Sequence, residues 1–202
     1  FLNNESVAAS EGKFGQIIGN VFRETHHAVI LDNWGLIWIW HSMVLFVACM
    51  GTYALQLYGV DSPWAYGVMW TFGLGAWAVV FWFVRRRMGP VTFVERQIAH
   101  VWAGAMCCVA FIFPLEVQFD LERLSMAPLL AVFAGMVFLI KAGILSGSFY
   151  IQAITLFVTA IIMAVFSSIA MPLFAFVSAG CFFFSGLKYY RRRKKQLDSR
   201  MG

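Results

Sequence analysis

The sequence predicts an all-α, polytopic membrane protein with six transmembrane helices preceded by an amphipathic surface helix. Three observations lead there. Apolar residues make up 61% of the 202 residues and charged residues only 12%. A soluble domain of this size could not cover so much apolar surface with so few charges. Six apolar runs follow one another, each with roughly the 17–25 residues needed to cross the hydrocarbon core. Clusters of Arg and Lys stand directly after two of them, at Arg85–Arg87 and Arg191–Lys195.

Residues 1–32 read as a linker and a juxtamembrane helix. Phe14, Ile17, Ile18, Val21 and Phe22 recur at helical spacing on one side. Lys13, Gln16, Asn20, Arg23 and Glu24 take the other. This helix is too polar to span and is expected flat on the cytoplasmic surface. His26 and His27 interrupt it and read as a solvent-facing pair. The chain starts at Phe1 without a methionine, and residues 1–30 make no signal peptide. Removal of a leading segment, or a longer parent protein, is the expectation.

Residues 33–190 form the six-helix domain. The first span covers about Trp34 to Tyr58, with Trp34, Trp38 and Trp40 at one end and Tyr53 and Tyr58 at the other, as interfacial belts. Asp61, Ser62 and Pro63 make a turn, and Pro63 suits a helix start. The later spans are placed at about Trp64–Val84, Gln97–Leu115, Met126–Leu145, Phe149–Phe166 and Pro172–Tyr190. Short connections predict three antiparallel hairpins in a bundle. Residues 191–202 are a basic cytoplasmic tail.

Topology follows from the stretch 85–104, where Gly89 and Pro90 interrupt the chain between the Arg cluster and Glu95. Short loops rich in Arg and Lys stay cytoplasmic. The loops at 59–63 and 116–125 carry mostly acid, so both termini are placed in the cytoplasm. Arg85, Arg86, Arg87, Arg191, Arg192, Arg193, Lys194 and Lys195 are the candidates for contact with anionic lipid headgroups. Their place beside apolar runs argues against nucleic acid as a partner.

Few residues inside the spans offer chemistry. Lys141 is expected either to snorkel to the interface or to pair with Glu95. His41 and His100 lie at similar depth and could meet, as a haem or metal site requires. Hydrogen-bonded polar residues in a helix interface are the preferred reading of the two. Cys49, Cys107, Cys108 and Cys181 lie in apolar runs without a CxxC pair and read as small hydrophobes. Small residues recur four apart at Ala99/Ala103, Ala131/Gly135, Gly143/Gly147 and Ala160/Ala164, which lets backbones approach. Gly143/Gly147 is the first candidate for an interface in a homo-oligomer or larger membrane complex. No zinc-protease, phosphate-loop, nucleophile-elbow or kinase signature occurs, and no span is expected to bury the acid of an ion path.

Four segments, NWGLIWIWHS (33–42), RRRMGPVTFVERQIAHVWAG (85–104), AGMVFLIKAGILSGSFY (134–150) and CFFFSGLKYYRRR (181–193), resemble the membrane-embedded C-terminal region of planctomycete serine/threonine protein kinases. The resemblance spans residues 33–193, and 90–104 is its most specific part. It implies a cytoplasmic kinase domain upstream and a bacterial inner membrane. Taken with the start at Phe1 and the amphipathic helix of 14–31, the expected role is membrane anchor and sensor for that domain. No catalytic residue carries over, and no cofactor is implied within this chain. ATP and magnesium belong to the upstream domain alone. The alternative is an accessory subunit of a membrane complex, such as a respiratory one.

Overall fold

The computed structural model describes residues 34–87 and 92–201. The juxtamembrane helix expected over 14–31, and the side chains of Arg193 and Lys195, lie outside the described residues. The described chain is helical, with α1 (Gly35–Leu57), α2 (Pro63–Arg86), α3 (Phe93–Gln118), α4 (Pro128–Ile144), α5 (Ser148–Val165) and α6 (Ala170–Met201). Five of them are long and apolar enough to cross a membrane, and α4 is a shorter apolar helix of 17 residues. With the composition, this suggests an integral membrane protein.

Most boundaries follow local chemistry. Pro63 and Pro128 open α2 and α4, where a missing N–H costs nothing. Gly59, at φ +72°, supplies the left-handed turn after α1. The third helix begins at Phe93, four residues before the expected Gln97. Thr92 and Glu95 form a reciprocal capping box there, in which each side chain meets the other's backbone N–H. The fourth begins late because the Glu116 carboxylate takes the Met126 N–H at 2.9 Å. The sixth continues beyond Tyr190 into the basic run, since Arg, Lys, Gln and Leu are good helix formers. At 32 residues α6 is roughly 48 Å long, well over the apolar thickness of a bilayer.

Packing partners differ from the expected hairpins. The closest neighbours are α1 with α6, α4 with α5, and α2 with α3. Glycine explains the first pair. A Cβ built on Gly35 would lie 2.5 Å from the Tyr190 backbone nitrogen, and one on Gly186 would lie 2.7 Å from the Gly35 carbonyl oxygen. The two backbones touch, so α6 returns against the start of α1. Ala131 and Gly135 pack inside the bundle, although the Phe157 ring of α5, rather than a backbone, lies over Gly135. Gly143 and Gly147 do not. The first is exposed near the end of α4 with open space beside it, and the second is the N-cap of α5, so no single helix face carries both. Ala164 and Ala103 are also exposed.

Cross-helix hydrogen bonds supplement this packing. Trp70 donates to Thr52 at 2.8 Å between α2 and α1, and Gln152 donates to Ser185 at 2.6 Å between α5 and α6. The interior holds Tyr66, Trp70, Phe113, Phe138, Phe149 and Phe182, while Trp40, Val47, Phe72, Ile161, Phe176 and Phe184 face outward. An apolar exterior of this kind fits hydrocarbon as its solvent.

Replacing Gly186 by Leu should lower stability by about 2–3 kcal/mol or abolish folding, because backbone cannot retreat from the new side chain. Replacing Gly143 by Leu should change it by less than about 0.5 kcal/mol. Thermal unfolding of the two variants in one detergent checks the contrast. Equal losses would remove the α1–α6 contact from this role.

Candidate functional site

The site lies where the first turn of α1, the last turn of α2 and the first turn of α3 meet. The Glu95 carboxylate is only 3% exposed. It accepts the Trp34 indole N–H at 2.7 Å, and the Arg85 guanidinium through Nε at 3.2 Å and Nη2 at 2.5 Å. Thr92 adds its backbone N–H at 2.8 Å and its hydroxyl at 3.1 Å. A buried carboxylate needs partners of this kind, and a two-pronged arginine supplies charge and geometry together.

This corrects two expectations. Glu95 pairs with Arg85 rather than Lys141, because the α3 cap turns its side chain toward the end of α2. Arg85 is therefore buried and withdrawn from the lipid-facing set. Arg86, Arg87, Arg191, Arg192 and Lys194 remain exposed, and Arg86 also lies 5.4 Å from the centre of the Trp82 ring.

Beside this network is a cavity of about 420 Å³. Its wall is largely indole, from Trp34, Trp38, Trp77, Trp82 and Trp102, with His41 and His100 as its imidazoles. Trp82, His100 and Ala103 are exposed, so the cavity opens to the outside of the bundle between α2 and α3. Ala99 and Ala103 line it, which gives that small-residue pair a place by an opening rather than a tight crossing.

The two histidines reach the same cavity with different surroundings. His41 is buried, with its ring 4.6 Å from that of Trp102 and 4.7 Å from that of Phe182. Its Nδ1 accepts the Trp77 indole N–H at 2.8 Å. His100 is exposed, and its Nδ1 lies 2.7 Å from the Arg96 carbonyl oxygen. Among the described residues no three His, Cys, Asp or Glu side chains cluster as metal ligands would.

Lys141 sits behind this wall. It is 1% exposed and does not snorkel. Its Nζ lies 4.6 to 5.1 Å from the centres of four rings, those of Trp38, Trp102, Phe138 and Phe182. The four rings come from α1, α3, α4 and α6, so the amine marks the junction of four helices. Aromatic faces attract an ammonium. Among the described residues, however, Nζ has no hydrogen-bond acceptor, which disfavours burying its charge.

A second acid is also interior. Glu116 was expected in a loop, but α3 runs to Gln118 and buries it at 0% exposure. The turn that follows is closed by Arg123, which pairs with Asp61 and donates to the Val60 carbonyl at 2.9 Å. Sequence reasoning missed Glu116, and it missed Trp34 and Trp77 as partners of Glu95 and His41. Part of the signal was present. Trp38 and His41, like Phe138 and Lys141, are three residues apart and share helix faces. Nothing local names the rings they meet.

No known family, curated protein or solved structure matches this chain.

Replacing Lys141 by Met keeps length and apolar contact while removing the amine. Thermal stability should stay level or rise by about 1 kcal/mol, since a buried amine without an acceptor is a net cost. A loss above about 2 kcal/mol on thermal unfolding would show that the rings hold the charge at a profit.

Proposed function

We propose that this chain is a membrane anchor and sensor. Its helices hold both termini at the cytoplasmic face, as the Arg and Lys runs require under the positive-inside rule. The cavity receives a lipid-soluble molecule through its opening between α2 and α3. One observation carries the reading: Trp34 is at once a wall of the cavity and a donor to Glu95. It is also where the segment 1–33 joins the bundle. A ligand that moves the Trp34 ring alters the hydrogen bond that fixes this junction. A shift of a few kcal/mol between two arrangements is enough for a switch. By the resemblance, the output is an upstream serine/threonine kinase domain that uses ATP and magnesium, while this chain supplies no phosphotransfer residue.

The accessory-subunit reading draws on His41 and His100 lining one cavity. A metal or haem iron needs a nitrogen lone pair from each. The Nδ1 lone pair of His41 is taken by Trp77, so a neutral ring carries its proton on Nε2. Ligation at Nε2 requires that bond to break. This favours the sensor.

Replacing Ala103 by Trp fills the opening from an exposed position. Amide exchange over residues 14–31 should change at least threefold, and Trp34→Phe should erase the response. In a protein that carries the upstream kinase, autophosphorylation should follow the same pattern. Exchange and autophosphorylation that ignore Ala103→Trp would contradict the sensor reading.

A further inference from the structure

The hydrogen-bonding state of the two cavity imidazoles is fixed by their neighbours. An indole N–H only donates, so His41 Nδ1 is an acceptor and neutral His41 presents N–H at Nε2. A carbonyl oxygen only accepts, so His100 Nδ1 is the donor and neutral His100 presents a lone pair at Nε2. The cavity wall therefore includes one imidazole whose second nitrogen is a donor, on α1, and one whose second nitrogen is an acceptor, on α3. The rest of its described lining is aliphatic, aromatic or the Met106 thioether, apart from indole N–H groups.

We infer that the cavity binds the hydroquinone head of a lipid-soluble quinol. This rests on the sensor reading and names its ligand class. A flat ring matches the indole walls, since stacked and edge-on aromatic contacts gain beyond area alone. A phenolic oxygen accepts from His41, and a phenolic O–H donates to His100. The cavity volume of about 420 Å³ falls in the range of small-molecule sites, about 300–1,000 Å³. It suits a ring head, and the opening at Trp82, His100 and Ala103 lets an apolar tail pass outward into lipid. The oxidised quinone carries only acceptors. It satisfies His41 but gives His100 no donor, so the site distinguishes the two redox forms. One hydrogen bond gained or lost makes the quinol roughly five- to tenfold tighter.

The probe is a short-chain ubiquinol, kept reduced, against its own quinone, with the full chain in lipid nanodiscs and direct equilibrium binding as the readout. The quinol should bind roughly five- to tenfold more tightly. His100→Ala, at an exposed position that leaves the core intact, should weaken the quinol more than the quinone and bring the ratio to about one. His41→Phe keeps a ring in place and should weaken both forms. No binding of either form, a ratio near one in the unaltered chain, or a ratio unmoved by His100→Ala would overturn the assignment. If Ala103→Trp still changes exchange over 14–31 when ubiquinol does not bind, the ligand class is wrong and the sensor stands. Selective quinol binding with no change in exchange keeps the ligand and removes the sensor.

Discussion

One carboxylate holds three helix ends together. Glu95 caps α3, neutralises the last turn of α2 through Arg85, and accepts from Trp34 beside the first turn of α1. Each of these contacts makes the others better. Burial of a charged pair is a cost that only good geometry and full hydrogen bonding offset. Here the guanidinium, the indole, the threonine hydroxyl and a backbone N–H fill that need. Removing the carboxylate leaves a buried cation and a buried indole donor without it, a loss of about 3–5 kcal/mol by comparison with other broken buried pairs.

The rest of the bundle is arranged around that end. Gly35 lets α6 lie against the start of α1, which places Tyr189 and Trp38 in edge contact at 5.6 Å. Trp38 in turn meets Phe149 of α5 at 5.7 Å and covers Lys141 of α4. The cavity is the space left between these indoles and the α2–α3 hairpin. Its wall and the Glu95 network share Trp34, and the proposed sensor function rests on that shared residue.

Much of the fold was legible in the sequence. Length and apolarity give helices over all six runs, and Pro63 marks a helix start correctly. What was not legible is what depends on distant partners. Arg85 belongs to an Arg run and looks like a lipid contact, yet an acid ten residues on draws it inward. Lys141 sits one turn from a helix end, where snorkelling is easy, but four helices converge over it. Gly143 and Gly147 have the spacing of a packing motif, but α4 ends between them. Gly35 and Gly186 have no such spacing, yet among the described glycines they lie nearest a neighbouring backbone. For the site, the sequence brought His41 and His100 to similar depth, and they line one cavity. Their hydrogen-bonding states needed Trp77 and the Arg96 carbonyl, neither of which a local pattern identifies.

The central claim is that Trp34 and Glu95 act as one unit at the junction with the preceding segment. A double-mutant cycle on Trp34→Phe and Glu95→Ala, read by unfolding in a single detergent, tests it most directly. The account predicts a coupling of about 1.5–3 kcal/mol, the range for a hydrogen bond to a charged group. Effects that add to within about 0.5 kcal/mol would contradict it, because the indole and the carboxylate would then hold the junction independently.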